Sequence, residues 1–303
     1  MIIKVGTRKS QLALTQTKQV ISLLEKANPD VTFELVTYQT TGDKLVHASL
    51  QEIGGKGVFV KDIEVGLLNK KIDIAIHSLK DVPSILPNGC VIGAIPKRED
   101  VRDCMIFHQP NMTLDTLPQG AKVGTSSLRR QAQLLKLRPD LNIVALRGNI
   151  DTRIQKVLDG EYDAIVLAMA GLSRMGWLEK ETLSLQPLDT KVFLPAISQG
   201  ALAIECREED THVLDIIQRI HDEKTAQEVT IERDFLKQMD GDCTFPIGAY
   251  ATVQDNIYTL QTMLATEETM TCVYATVSDE QAHTLAKNAA DCLEAQGAFG
   301  RKK

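Results

Sequence analysis

The sequence predicts an α/β fold, in which two similar lobes are followed by a small α+β domain. Three observations predict it: strand-like and helical segments alternate along the chain, their order occurs twice, and the pattern changes near residue 219. The predicted boundaries are 1–95 with 196–218 for the first lobe, 96–195 for the second and 219–303 for the last domain.

The first lobe begins with a short apolar strand at 2–5, and a helix with apolar residues on one face follows at 11–26. An alternating strand is predicted at 31–36, a second helix at 58–69 and a third strand at 72–76. Strands that alternate with helices in this way are typical of a parallel sheet covered by helices.

The second lobe has the same order of parts. Lys122-Val-Gly-Thr125 resembles Lys4-Val-Gly-Thr7, and the strands predicted at 141–146 and 162–167 correspond to the second and third strands of the first lobe. The apolar segment 193–205 is predicted to return to the first lobe as a strand. The chain would then cross twice between the lobes, through a two-strand hinge that can close a cleft.

The last domain is predicted to contain both helices and strands. A helix is expected at 225–239, strands at 250–253, 257–264 and 271–277, and a final helix at 278–296.

Composition limits the possible functions. The chain has 303 residues, of which 43% are hydrophobic and 24% charged, as in ordinary globular domains. Aromatic residues make up only 4% and the net charge is −6, which disfavours a stacking platform for nucleic acid. The sequence has no apolar run of membrane-spanning length, no signal segment and no zinc-type cysteine spacing. We therefore expect a cytoplasmic protein with free cysteines, no metal, and no nucleic-acid or membrane partner.

Two segments are candidates for anion binding. Thr7–Ser10 and Thr125–Arg130 each lie where a strand passes into a helix, and a helix N-terminus with serine and arginine side chains suits carboxylates or phosphates. The alternative is ordinary helix capping with solvated arginines. Arg147 and Arg153, after the next strand, would extend the basic lining or lie in a surface turn.

Three further segments leave both a functional and a structural interpretation open. The loop Ile53–Gly57 lacks the spacing of a phosphate-binding loop and is either a mobile loop that presents Lys56 or a plain turn. His77–Pro83 follows the third strand and is either a reactive strand end or a turn. Cys243 lies on a glycine-containing loop and is either a nucleophile or a buried thiol.

Taken together, these motifs resemble hydroxymethylbilane synthase, also called porphobilinogen deaminase, and they occur in the order of that family over nearly the whole chain. The motifs are Thr-Arg-Lys-Ser (7–10), Gly-Gly-Lys-Gly (54–57), His-Ser-Leu-Lys-Asp-Val-Pro (77–83), Arg-Glu-Asp-Val-Arg-Asp (98–103), Gly-Thr-Ser-Ser-Leu-Arg-Arg (124–130), Leu-Arg-Gly-Asn (146–149) with Thr-Arg (152–153), Leu-Pro-Ala-Ile-Ser-Gln-Gly-Ala (194–201) and Cys-Thr-Phe-Pro-Ile-Gly (243–248).

The resemblance implies a fold of two lobes similar to periplasmic binding proteins and a third domain with a reactive cysteine. It implies that Cys243 holds a dipyrromethane through a thioether. Four porphobilinogen units would be added to this primer stepwise with loss of ammonia, and hydrolysis would free the linear tetrapyrrole hydroxymethylbilane. The family also implies a monomeric transferase of tetrapyrrole and heme biosynthesis.

The resemblance implies roles for individual residues as well. Asp81 and Lys80 would be catalytic, with Asp81 stabilising a cationic azafulvene and moving protons. The residues implied in cofactor binding are Cys243, Ser78, Lys80, Asp81, Thr125, Ser126, Ser127, Arg129, Arg130 and Arg147. Those implied in substrate binding are Arg8, Ser10, Arg147, Arg153, Gln199 and the lid-loop residue Lys56.

Two positions depart from the family pattern, since Asp242 and Ser198 stand where glycine is common. Asp242 would stiffen the loop or bring negative charge near the cofactor, and Ser198 would alter closure. Two alternatives from other classes are a non-catalytic two-lobed anion-binding protein and a nucleotide-dependent transferase. Cys243 and the third domain disfavour the first alternative, and the missing phosphate loop disfavours the second.

Overall fold

The structure of the chain is a computed structural model. It describes residues 1–40, 60–180, 183–239, 245–266 and 269–297. Lys56, Asp242 and Cys243, to which the sequence assigns roles, lie outside the described residues.

The chain divides into two compact units, each formed from two segments. Unit 1 consists of Met1–Glu99 and Gly200–Gln227, and unit 2 consists of Asp100–Gln199 and Glu228–Lys303. The chain therefore passes between the units three times, the third time within a helix. The three-domain boundaries and the two-strand hinge remain predictions.

Unit 1 is built on a five-stranded mixed sheet. Its strands are β1 (Ile2–Arg8), β2 (Thr32–Tyr38), β3 (Ile74–Ser78), β4 (Cys90–Ala94) and β10 (Leu202–Arg207). They lie in the order β2-β1-β3-β10-β4. The first three are parallel, while β10 is antiparallel to both of its neighbours.

Helices cover both faces of this sheet. They are α1 (Gln11–Ala27), α2 (Lys61–Leu68), α6 (Thr211–Ile217) and the first part of α7 (Glu223–Gln238), with 3₁₀ turns at Leu79–Asp81 and Gln218–Ile220. Ile74 and Ile76 of β3 pack with α1 and α6. Ala75, between them in sequence, packs on the other face with α2, because successive strand side chains point to opposite faces.

Unit 2 contains a second five-stranded sheet and helices α3 (Leu128–Leu137), α4 (Ile150–Leu158) and α5 (Met169–Arg174). Its strands are β5 (Asp103–Phe107), β6 (Lys122–Gly124), β7 (Asn142–Val144), β8 (Ala164–Ala168) and β9 (Ser184–Pro187). The order is β7-β6-β8-β5-β9. Again three strands are parallel and the fourth, β5, is antiparallel to both neighbours.

The two sheets therefore have the same topology, which confirms the predicted repeat. The likeness extends to single hydrogen bonds. In unit 1 the Asp73 carboxylate accepts the N–H of Lys4 at 2.8 Å, and in unit 2 the Asp163 carboxylate accepts the N–H of Lys122 at 2.7 Å. In both units the aspartate before the third strand thus fixes the beginning of the first strand.

The rest of unit 2 is a three-stranded antiparallel sheet with two helices. Its elements are β11 (Ile247–Gln254), β12 (Ile257–Ala265), β13 (Cys272–Asp279) and α8 (Ala282–Ala295), with the end of α7. Phe235 of α7 and Leu285 of α8 are fully buried against this sheet. Ala132 of α3 packs against Met263 of β12, so the helix that carries Arg129 and Arg130 rests on the C-terminal sheet.

The predicted helices and strands are present, except that the segment 193–205 forms a strand only from Leu202, in β10 (Leu202–Arg207). Strands β4, β5 and β9 and helices α5 and α6 were not predicted. All five residues of β5 are buried. A strand covered on both faces has no alternating pattern, so periodicity cannot distinguish it from other apolar runs. The edge strand β9 and the helices α5 and α6 are too short to give a clear period.

The described residues contain no helix that is long and apolar enough to cross a membrane. No group of three or more His, Cys, Asp or Glu side chains in the same residues could hold a metal ion. The cysteines in this part of the chain, Cys90, Cys104, Cys206, Cys272 and Cys292, are free thiols.

Ser198 occupies a strained position just before Gln199. Its φ of +59° lies in the left-handed region that favours glycine. The side chain is fully buried, and its hydroxyl has no hydrogen-bond partner among the described residues. The Ser198 N–H donates to the buried Glu232 carboxylate at 2.6 Å, which holds the turn in place. This conformation gives a physical reason for the glycine that is common here.

We expect Ser198→Gly to raise the free energy of unfolding by about 1 kcal/mol, because it removes the left-handed strain and a buried unpaired hydroxyl. Thermal or denaturant unfolding measures the effect. Asn111→Gly is the matched control, since Asn111 has the same φ of +59° but is exposed and asparagine tolerates that region. A Ser198→Gly protein that unfolds at or below the parental midpoint would contradict this explanation.

Candidate active site

In unit 1, the predicted site residues lie along one edge of the sheet. Arg8 ends β1 and Ser78 ends β3. These are neighbouring parallel strands, with Gly6 opposite Ala75, so their carboxyl ends share an edge. Lys80 and Asp81 follow at once, in the 3₁₀ turn after β3. The strand order thus brings together these four predicted residues.

The serine hydroxyls of unit 1 have structural partners. Ser10 is the N-cap of α1, where its hydroxyl accepts the N–H of Ala13 at 3.3 Å. Ser78 lies within hydrogen-bond distance of the Gln16 side-chain amide, 2.9 Å from its nitrogen. The capping interpretation is therefore correct for Ser10, and its place in substrate binding remains a prediction.

A buried acid–imidazole pair lies behind the β3 strand end. His77 Nε2 is 2.9 Å from the Glu205 carboxylate of β10, and both side chains are almost fully buried. Glu64 of α2 is also buried. Burial, and then the charge of Glu205, raise the pKa of Glu64 to about 7. His77 is thus a core residue.

In unit 2, the candidate residues occupy the equivalent edge. Thr125 follows β6 and Arg147 lies shortly after β7, and these strands are parallel neighbours with Gly124 opposite Val144. Helix α3 begins after Ser127, and helix α4, which carries Arg153, begins after Asn149. Strand order therefore gathers the Thr125–Arg130 segment, Arg147 and Arg153 at the carboxyl ends of two strands.

The hydroxyls of this segment are also engaged within the protein. Ser127 is the N-cap of α3, and its hydroxyl accepts the N–H of Arg130 at 3.4 Å. The Thr125 hydroxyl accepts the N–H of Ser127 at 3.2 Å. The Ser126 hydroxyl donates to the Leu146 carbonyl at 2.9 Å. These contacts fix the loop, so the arginines that follow are held in a defined direction.

Arg130, Arg147 and Arg153 form a group of like charges. Burial, and then the charges of Arg130 and Arg147, lower the pKa of Arg153 to about 10. The hydrogen bond that Arg153 makes within the protein is to the Gly148 carbonyl, with Nε at 2.7 Å, which is a neutral acceptor. The group is therefore suited to bind a ligand with several negative charges.

Arg129 and Arg130 share one buried carboxylate, that of Asp103. Arg129 Nη1 is 2.8 Å from Asp103 Oδ2, and Arg130 Nη2 is 2.7 Å from Asp103 Oδ1. Gln199 Nε2 donates to the same Oδ1 at 3.0 Å. Burial alone would raise the pKa of Asp103, but the two guanidiniums outweigh it and hold the pKa well below its usual range.

The described part of the C-terminal motif lies against Arg129. A Cβ atom on Gly248 would come within 2.9 Å of the Pro195 carbonyl oxygen and 3.1 Å of Arg129 Cδ. Glycine is thus required for this close approach. The motif that contains Cys243 therefore continues directly to the base of the arginine group, although Cys243 itself is outside the described residues.

Asp103 is the residue that the sequence interpretation missed. It ends the motif Arg-Glu-Asp-Val-Arg-Asp, in which acids and arginines alternate, and nothing local separates it from its neighbours. The one available signal is its place directly before a continuous apolar run, because an acid that enters a buried strand needs a cationic partner.

Two family models match the chain, one after the other. Residues 3–215 match a family model described as porphobilinogen deaminase, dipyromethane cofactor binding domain. Residues 226–295 match the porphobilinogen deaminase C-terminal domain. The chain belongs to the porphobilinogen deaminase family. It is accordingly an enzyme of tetrapyrrole biosynthesis and contains a dipyrromethane-cofactor domain. The enzyme of this family is also named hydroxymethylbilane synthase.

Individual relatives support the family assignment over almost the full length. The chain is 56% identical to the porphobilinogen deaminase of Streptococcus sanguinis over 299 residues, which cover 99% of this chain and 97% of the relative. It is 50% identical to the porphobilinogen deaminase of Bacillus pumilus over 297 residues, which cover 98% of this chain and 94% of the relative.

Solved structures with similar folds are more distant. A Salmonella typhimurium periplasmic binding protein with high arginine specificity matches 74% of this chain and 93% of its own, with 15% identity and a TM-score of 0.42. A periplasmic domain of Bordetella pertussis BvgS matches 72% of this chain and 86% of its own chain, with 16% identity and a TM-score of 0.41. These scores are too low to bear on function.

The residues of unit 2 fit the group that the family model names. A dipyrromethane made from two porphobilinogen units carries two acetate and two propionate arms. The arginine group at the β6 and β7 strand ends offers charge-assisted donors to such carboxylates. Burial and the neighbouring charges of Arg130 and Arg147 lower the pKa of Arg153, and a polyanion would offset that repulsion between like charges.

We expect Arg153→Gln to raise KM for porphobilinogen about ten- to a hundredfold, since a charge-assisted hydrogen bond contributes roughly 1.5–3 kcal/mol. Its melting temperature should stay near the parental value, because the side chain is only partly buried and its removal relieves repulsion from Arg130 and Arg147. Steady-state kinetics and thermal unfolding measure the two effects.

Arg138→Gln is the contrasting control in the same unit. Arg138 pairs with Asp140 at 2.7 Å and donates to the Leu114 and Leu117 carbonyls, so its loss should lower the melting temperature without changing KM. A parental KM for Arg153→Gln would remove Arg153 from the site.

Proposed function

We propose that the protein joins four porphobilinogen units head to tail, with release of one ammonia per unit, on a dipyrromethane held by Cys243. Hydrolysis then frees the linear product hydroxymethylbilane. The observation that chiefly supports this proposal is the arginine group of unit 2, which lies at the carboxyl ends of β6 and β7. Burial, and then the charges of Arg130 and Arg147, lower the pKa of Arg153 in this group. Such a group suits a chain of pyrroles whose carboxylates accumulate as it grows.

The cations at the two sheet edges would bind the carboxylate arms. The residues proposed for the cofactor are Ser78, Lys80, Asp81, Thr125, Ser126, Ser127, Arg129, Arg130 and Arg147, and those proposed for the substrate are Arg8, Ser10, Arg147, Arg153, Gln199 and Lys56. The net charge of the whole chain is −6, so these local cations must supply the attraction. When bound, the dipyrromethane supplies the pyrrole carbon to which substrate units are joined.

Asp81 is proposed as the catalytic acid, with Lys80 beside it to orient a substrate carboxylate. Loss of ammonia from porphobilinogen leaves a positively charged azafulvene. A carboxylate placed beforehand near the pyrrole N–H stabilises that charge and can accept and return a proton. The 3₁₀ turn at Leu79–Asp81 holds Asp81 at the carboxyl end of β3, where ligands of α/β sheets bind.

A monomeric state and a cytoplasmic location are further parts of the proposal. The free thiols of the described cysteines fit a reducing compartment. The proposed chemistry uses a carboxylate acid and arginine side chains, and it requires neither a metal nor a nucleic acid.

Measurement of the intact mass tests whether the dipyrromethane is covalently attached to Cys243. We expect the parental protein to exceed its chain mass by two linked pyrroles, and Cys243→Ser to have the chain mass alone, because a hydroxyl is a much poorer nucleophile than a thiolate. Cys292→Ser, which changes an exposed free thiol, is the control and should keep the adduct. An active parental protein at the bare chain mass would contradict covalent attachment of the dipyrromethane at Cys243.

Single-turnover ammonia release tests Asp81. Asp81→Asn keeps the size but loses the charge, so release from cofactor-loaded protein should slow by about 10²–10³-fold. Asp81→Glu should retain more activity, and Asp30→Asn, in an exposed turn, should retain all of it. Release at the parental rate from Asp81→Asn would reassign the catalytic role to another acid.

A further inference from the structure

Asp103 connects three separate parts of unit 2. It is the first residue of β5 and is fully buried. Its carboxylate contacts both arginines that begin α3 and the Gln199 side chain, which also donates to the Val101 carbonyl at 2.8 Å. One charged group thus joins a strand, a helix and the 193–199 segment.

Each arginine is held by Asp103 and by one main-chain carbonyl. Arg129 Nη1 donates to Leu194 at 2.6 Å, and Arg130 Nη1 donates to Val166 of β8 at 2.9 Å. Arg130 also donates to Asp103 through Nε at 3.1 Å, so two of its nitrogens point to one carboxylate oxygen. The direction of the Arg130 guanidinium is therefore fixed by contacts on two sides.

The two arginines differ in exposure. The Arg129 side chain is 4% exposed, and its Cδ lies beside Gly248, whereas the Arg130 side chain is 10% exposed. Arg130 is also close enough to Arg153 to lower its pKa. Arg130 is thus the member of the pair that continues into the arginine group at the strand ends.

We propose that Asp103 is a positioning residue for carboxylate binding: through its contacts with Arg129 and Arg130 it holds the Arg130 guanidinium in the direction in which Arg130 meets the carboxylates of the pyrrole ligand. This inference rests on the proposed function. Asp103 acts through the arginines and makes no contact with the reacting atoms.

Two roles for a carboxylate at this place predict opposite results. If Asp103 only neutralised charge, its removal would leave a stronger positive field and tighter binding of carboxylates. If it orients the guanidiniums, its removal leaves two buried like charges that repel each other and turn away, and binding weakens. The sign of the change in KM therefore separates the two roles.

The test is Asp103→Asn, with KM and kcat for porphobilinogen and the cofactor content by intact mass. We expect KM to rise at least about tenfold with a smaller change in kcat, as for loss of a charge-assisted contact. Asp103→Glu, which keeps the negative charge on a longer side chain, should give a KM between that of the parental protein and that of Asp103→Asn. A KM at or below the parental value in Asp103→Asn overturns the inference.

A double-mutant cycle tests whether Asp103 acts through Arg130. In an Arg130→Gln background, Asp103→Asn should change KM by less than about twofold, because the group that it orients is already gone. Independent, multiplicative effects overturn the inference. If Asp103→Asn does not fold, Asp103→Glu decides: a KM above the parental value supports the positioning role, and a parental KM overturns it.

Asp140→Asn is the matched control, because it breaks another aspartate–arginine pair of 2.7 Å in the same unit, before the amino end of β7. It should leave KM at the parental value, and an equal rise in KM would overturn the specific role of Asp103. Failure of the proposed function is distinguishable, since the parental protein would then carry no pyrroles and release no ammonia.

Discussion

One buried carboxylate shared by two arginines makes the candidate site of unit 2 possible. A folded chain cannot easily hold four arginines near one sheet edge, because each buried positive charge raises the cost of the next. Asp103 lowers that cost for Arg129 and Arg130, and it places their guanidiniums at the base of a group that extends to Arg147 and Arg153. The positive charge that remains is what a polycarboxylate ligand would meet.

The repeated sheet topology explains why candidate residues occur in both units. Strand β1 of unit 1 lies beside β3, and the equivalent strand β6 of unit 2 lies beside β8. A serine caps the helix that follows β1 and β6, Ser10 in unit 1 and Ser127 in unit 2. The same topology therefore produces two edges with polar side chains. The two edges differ in chemistry, since unit 1 supplies Asp81 and unit 2 supplies most of the arginines.

Most of the fold could be predicted because its outer strands and long helices have clear periods, as β2 and α1 show. The buried strand β5 could not, since all of its residues are covered and no face is marked by polar residues. Asp103 was missed for another reason. Its partners lie 26 and 27 residues away on α3, and only the folded sheet brings them together. The arginine group was predictable from motif spacing, whereas the hydrogen bonds that orient it depend on tertiary contacts.

We propose that the local positive charge of the arginine group recognises the carboxylate arms of the pyrrole substrate. The most direct measurement compares turnover of porphobilinogen with turnover of its diester, in which both arms are esterified and the pyrrole and aminomethyl groups are unchanged. We expect the diester to compete weakly with porphobilinogen and to release ammonia far more slowly, because the charge-assisted contacts are lost. Equal turnover of the two compounds would contradict it.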